Sequence, residues 1–174
     1  MNFSSTSLVF GLFVALAATP ALASGTHSGG HSDGPNIGQK GKASQVSRTI
    51  EIGMGEMYFD PDTLAIKKGE TIRFVVTNKG EFVHEFNIAT TAMHEAHQSE
   101  MIEMMDKGIL EAERINHDLM KSMGMMHEDA NSALLEPGKV FELIWTFDGD
   151  AALEISCNVP GHRESGMVGK IDID

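Results

Sequence analysis

Cys157-Asn158-Val159-Pro160-Gly161-His162-Arg163-Glu164-Ser165-Gly166-Met167 brings a thiol, an imidazole and a thioether into eleven residues near the C-terminus. Each is a soft or borderline donor of the kind that holds copper. A second imidazole has to come from elsewhere, and His84 is the candidate. It lies in Glu81-Phe82-Val83-His84-Glu85-Phe86-Asn87-Ile88, whose alternation reads as a strand. Two imidazoles, one thiolate and a weak axial thioether form the donor set of a type 1 copper centre. The bland alternative is a buried Cys with a satisfied His and a core Met. It has to explain why this is the only Cys in the chain and why His and Met follow it at loop spacing.

On the spacing Cys-x₄-His-x₄-Met, with Pro160-Gly161 before the His and Gly166 before the Met, the chain resembles cupredoxins of the plastocyanin/azurin family. It is most similar to exported copper-binding members whose ligand loop reads C-x-x-P-G-H-x-x-x-G-M. The resemblance runs from about Val46 to Asp174, less a long insert. It implies an all-β Greek-key cupredoxin sandwich with one copper at one end, held by His84, Cys157, His162 and Met167. It also implies that His84 is the buried imidazole, and that His162 lies nearer solvent on the electron path. Pro160 and Gly161 would stiffen and turn the loop, and Gly166 would let the backbone approach the metal. One position departs from the pattern. The family usually has Asn directly after the first His, tying the two ligand loops together, whereas this chain has Glu85. Asn158 is the candidate reciprocal partner. A carboxylate there favours the oxidised state and alters the potential and colour that the resemblance implies.

The N-terminus points to export. Residues 1–23 carry no charged side chain, contain an apolar run from Leu8 to Ala18, and end in Ala21-Leu22-Ala23. This reads as a signal peptide cleaved after Ala23, too short to stay as a spanning helix. The expected location is the periplasm, with no membrane span after cleavage. A lone Cys in an oxidising compartment has no internal disulfide partner, and metal ligation keeps its sulfur out of oxidative chemistry. The formal net charge of −12 excludes nucleic acid as a partner, since no basic patch is available to release counterions. Residues 24–44 are polar and Gly/Ser-rich and read as a disordered linker, with His27 and His31 as weak metal captors or as solvated side chains.

The folded domain should span residues 45–174. Val46–Met54, Thr63–Ile66, Thr71–Thr77, the His84 run, Val140–Phe147, Ala152–Ser156 and Val168–Ile173 read as strands. Turns are expected at Tyr58-Phe59-Asp60-Pro61, Gly69, Asn78-Lys79-Gly80, Pro137-Gly138 and Asp148-Gly149-Asp150. From about residue 91 to 130 the period changes to helical. Two helices are expected there, or one broken at Gly108, with the second running from Ile109 to about Met123. Met93, His94, His97, Met101, Met104 and Met105 recur at three- and four-residue steps, and Met120, Met123, Met125, Met126 and His127 form a second cluster. Two readings stay open: a Cu(I) site separate from the type 1 centre, or Met side chains packing on the sandwich.

These features support an exported copper-handling or copper-tolerance protein. The alternative is a single-copper electron carrier. Either role needs a protein partner for electrons or copper, and a monomer is expected. An enzyme is disfavoured. A multicopper oxidase needs paired His-x-His segments, a dinuclear copper site needs a second Cys, and a Cys–His hydrolase leaves Met167 and the Pro-Gly loop unexplained.

Overall fold

In Thr71–Asn78 every second side chain (Ile72, Phe74, Val76, Asn78) is buried, while Arg73, Val75 and Thr77 between them are only half-covered. That period of two is the mark of a strand lying on a core. The computed structural model describes residues 34–126 and 129–174 of the chain. The expected signal peptide, His27, His31 and His127 lie outside the described residues.

Among the described residues, ten strands and two α-helices follow in the order β1 (Gln39–Lys40), β2 (Arg48–Gly55), β3 (Tyr58–Asp60), β4 (Thr63–Ile66), β5 (Thr71–Asn78), β6 (His84–Ala89), α1 (Thr91–Asp106), α2 (His117–Ser122), β7 (Ser132–Leu135), β8 (Val140–Thr146), β9 (Glu154–Ser156) and β10 (Val168–Ile173), with a short 3-10 turn at Ala43–Gln45. They form two five-stranded sheets, ordered β1-β8-β5-β2-β3 and β4-β10-β9-β6-β7. β2 runs parallel to β5 and β10 runs parallel to β4, while the other neighbours are antiparallel. This is a Greek-key cupredoxin β-sandwich with a helical insert between β6 and β7. The two inner faces meet at Phe74, whose ring centroid lies 5.4 Å from that of Phe86 and 6.2 Å from that of Phe147.

The structure corrects several sequence-based expectations. β4 and β5 are joined by the short turn expected at Gly69, and that turn carries the chain from one sheet to the other. The turn expected at Tyr58–Pro61 is displaced, because Tyr58–Asp60 is itself a strand paired with Gly53–Gly55. The expected linker does not extend to residue 44. Gln39 and Lys40 pair with Thr146 and Trp145, and the Trp145 indole N–H donates to the Ile37 carbonyl at 3.0 Å. Polar composition hid this, since an edge strand needs only backbone groups to pair. β7 precedes Pro137-Gly138, where the sandwich was expected to resume.

The insert also differs from its expected form. α1 begins at Thr90, whose hydroxyl accepts from the Met93 N–H at 3.3 Å, and ends just before Gly108 at φ 69°. Ile109–Asn116 is not helical. Leu110 and Ile115 instead form a bridge closed by Arg114 on Glu111, and Ile109, Leu110 and Ile115 sink into the core. Burial of these side chains overrides helical propensity. Asn116 then caps α2 by accepting from the Leu119 N–H at 3.1 Å.

Candidate metal centre

β6 and β9 pair with Asn87 opposite Ser156, Ile88 opposite Ile155 and Ala89 opposite Glu154. Extending that antiparallel register by two residues sets Asn158 opposite Glu85. Cys157, one residue past β9, therefore arrives beside His84, the first residue of β6. The approach to His84 is held by Asn78, which is fully buried. Its Nδ2 donates to the carbonyls of Phe82 (2.7 Å) and Leu135 (2.8 Å), and its Oδ1 accepts from the Gly80 N–H at 2.9 Å. The insert holds it from the other side, where the Val83 N–H donates to the Ala112 carbonyl at 2.7 Å.

The ligand loop folds back on itself. The Cys157 N–H donates to the Met167 carbonyl at 3.1 Å, and the Met167 N–H donates to the His162 carbonyl at 3.0 Å. Gly161 and Gly166 take φ of 86° and 97°, a left-handed backbone that side chains resist. At Gly166 no protein atom lies within 4 Å of where a Cβ would sit. Its φ alone favours glycine there. Arg163 pins the loop to β9 by donating to Ser156 Oγ (2.9 Å) and Glu154 Oε1 (2.6 Å).

His84, Cys157 and His162 are all buried, and their donor atoms lie within 4.8 Å of one another. Nδ1 of His84 faces Nδ1 of His162 at 3.2 Å, and Cys157 Sγ is 3.3 Å from the His162 nitrogen and 4.0 Å from that of His84. The two nitrogens can share one proton, and the sulfur lies within hydrogen-bond reach of the His162 nitrogen, so without that proton three donor atoms face one point. A cation between them satisfies all three donors, and the mix of imidazole and sulfur fits copper. Burial, reinforced by His84, lowers the His162 pKa to about 4. Burial also lowers that of His84, so both imidazoles are neutral and ready to ligate at neutral pH. Burial pushes the Cys157 thiol up to about 12, the nearby Glu85 charge adds to this, and the Glu85 N–H donating to Sγ at 3.3 Å opposes it. Met167 is fully buried. His162 is the more exposed imidazole, at 9% against 0% for His84.

Glu85 and Asn158 meet as the sequence suggested. Asn158 donates to Glu85 Oε2 through its backbone N–H (3.2 Å) and Nδ2 (2.7 Å). Besides Asn87, whose Nδ2 donates to Glu85 Oε1 at 3.3 Å, two partners come from other elements and are not visible in the sequence. Ser132 Oγ, from β7, donates to Glu85 Oε1 at 2.7 Å, and His97 Nε2, from α1, lies 3.4 Å from the same oxygen. Burial alone would raise the Glu85 carboxyl. Hydrogen bonding and charge from His97, followed by Ser132 and Asn158, outweigh it and hold the pKa at about 2. The same pairing overcomes burial at His97 and raises its pKa. Asn158 Nδ2 also lies 3.2 Å from His94 Nδ1, which accepts. The signal available in sequence is connectivity. Only Thr90 separates β6 from α1, so the helix has to return over the strand it leaves.

The expected cluster of Met93, His94, His97, Met101, Met104 and Met105 is not assembled as one set. Their shared face turns toward the sandwich. Met101 and Met104 join the hydrophobic core, His94 and His97 partner Asn158 and Glu85, Met93 is half-buried, and Met105 points outward at 42% exposure. Burial of apolar thioethers on the core accounts for the helical spacing that suggested six donors in one place.

Comparison with known proteins agrees with this geometry. A copper-resistant cuproprotein, CopI, of Pseudomonas aeruginosa is 43% identical over 151 residues, covering 80% of this chain and 83% of the relative. The protein of the same name from Rubrivivax gelatinosus is 35% identical over 166 residues, covering 90% of each. Among solved structures, auracyanin B superposes with a TM-score of 0.57 at 14% identity, covering 79% of this chain and 96% of its own. Auracyanin from Roseiflexus castenholzii gives 0.54 at 19% identity, covering 74% and 98%. At these identities the structural likeness speaks to fold alone. Residues 45–174 match the family described as copper-binding proteins of the plastocyanin/azurin type. With a sandwich of that fold and a His–Cys–His cluster at the end of it, the chain belongs to the plastocyanin/azurin family of copper-binding proteins.

Proposed function

We propose that the chain is an exported, non-catalytic copper-handling protein of the periplasm. In this reading it binds one copper through His84, Cys157 and His162, with Met167 as the weak axial donor, and contributes to copper tolerance. The carrying observation is the convergence of three buried donor atoms, from His84, Cys157 and His162, within 4.8 Å of one another. The bound copper would supply a one-electron couple. The chain's own residues keep the imidazoles neutral, exclude water from the sulfur and fix the loop through Arg163. Support for the tolerance role comes from the two relatives named copper-resistant cuproprotein, matched over most of their length.

Two measurements test the reading. Cu(II) added to the purified chain should give an intense thiolate charge-transfer band that Cys157→Ser abolishes; persistence of the band would remove the ligand assignment. The chain should also restore growth on copper to a host lacking its own tolerance protein, and Cys157→Ser should not. Growth restored equally by both would separate tolerance from this centre.

A second reading, a single-copper electron carrier working with a redox protein, is favoured by the greater exposure of His162. Rapid electron self-exchange without any growth phenotype would bring it forward.

A further inference from the structure

Among the described residues, soft donors also gather around a cavity away from the type 1 cluster. A cavity of about 180 Å³ lies between the insert and the outer face of β6 and β7. α1 lines it with His97 and Met101, four residues apart, and α2 lines it with His117 and Met120, three residues apart. Those steps put each His and Met on one helix face. Met126, from the segment after α2, also lines it, Glu85 lies on the wall toward the sandwich, and much of the rest is apolar, from Ile115, Leu134, Leu135 and Phe141. Met101 and Met120 are buried, whereas His117 is exposed and Met126 is 49% exposed. The donors thus run from an open mouth to a closed floor.

We propose that this cavity is a second copper site, selective for Cu(I), with Met101, Met120, Met126 and His117 as donors. Thioethers and imidazole prefer the soft monovalent ion, and thioethers carry no proton that the metal has to displace. His97 stays paired with Glu85 and forms the wall between the two copper sites. Glu85 is common to both: its backbone N–H donates to Cys157 Sγ, and its side chain borders the cavity. The set differs from the one the α1 sequence suggests, because it draws on both helices and the loop after them. It shares no ligand with the type 1 centre, so each stands or falls separately. Packing alone would place Met101 and Met120 here, but it gives no reason for the exposed His117 and half-exposed Met126 to line the same cavity.

The test uses the full chain carrying Cys157→Ser, titrated anaerobically with Cu(I) against a chromophoric Cu(I) chelator. That protein should hold Cu(I) at this cavity. Adding His117→Gln and Met126→Leu, both at the mouth and outside the core, should weaken that Cu(I) at least tenfold while circular dichroism stays unchanged. Equal stoichiometry and affinity with and without the two substitutions would overturn the proposal. Should the triple variant misfold, methyl NMR of the unsubstituted protein decides. Cu(I) added beyond the first equivalent should shift the Met101, Met120 and Met126 methyl signals, and unshifted signals would overturn it. Failure of the type 1 reading shows instead in the charge-transfer band, which this titration does not use.

Discussion

At the residue scale, the centre turns on which groups hold protons before copper arrives. With the thiol pKa near 12 and that of His162 near 4, a neutral solution presents one protonated sulfur and two deprotonated imidazoles. Binding Cu(II) at pH 7 should therefore release one proton per copper, taken from Cys157. Calorimetry in buffers of different ionisation enthalpy measures this, and a release near zero or near two would contradict the assignment. Met167→Leu should keep copper and raise the reduction potential, because a weak axial donor is lost. Voltammetry checks the direction, and complete loss of copper would count against an axial role. Glu85 deserves a different account from the one its position in sequence suggests. Read alone, it is an extra negative charge near the thiolate. In the fold, His97 lies against it with a raised pKa, so the pair offsets much of that charge at and below neutral pH.

At the element scale, α1 is fastened over β6 by the His97–Glu85 contact. His97 has its folded pKa raised above the ordinary 6.5. Its contribution to stability is therefore fully present below about pH 6.5 and is lost as pH rises through the folded value. Glu85 behaves oppositely: its contribution is present above the ordinary carboxylate pKa and is lost as pH falls toward 2. His97→Gln should cost about 2 kcal/mol near pH 6, the scale of a hydrogen bond to a charged group. The deficit against the unsubstituted protein should shrink steadily toward pH 9. Urea unfolding across that range reads it, and a deficit independent of pH would exclude an ionic contact. This contact also shows where sequence reading stops. The ligand loop is legible because its donors and turn residues sit within eleven positions. β6 is legible as a strand from its alternation, but the burial of both its faces is not, since all six of its residues are buried. An alternating strand announces one buried face, and only the folded insert covers the other, where Glu85 and Asn87 lie. The stretch Ile109–Asn116 misleads for a related reason: Ile109, Leu110 and Ile115 serve a non-helical turn that the core pulls inward.

At the scale of the whole molecule, the sandwich is legible from short strands and turns, while its outermost strand is not. β1 has neither alternation nor a buried side chain; it is held by backbone pairing to β8 and by the Trp145 indole on Ile37. Trp145 is the only tryptophan in the chain, so its emission reports on that corner alone. A chain beginning at Lys42 should show red-shifted emission and a lower unfolding midpoint than one beginning at Gly34. Matching spectra and midpoints would mean that β1 does not hold the corner in solution.

The sheet order carries one further consequence. Each sheet ends on very short strands, two residues in β1, three in β3 and four each in β4 and β7, while the eight-residue β2 and β5 lie inside. An exposed strand edge is a template on which another chain can add, and its hazard grows with its length. Here little unpaired backbone is offered at any rim, and a formal charge of −12 keeps neighbouring copies apart. A protein built this way can accumulate to high concentration without its sheets joining edge to edge.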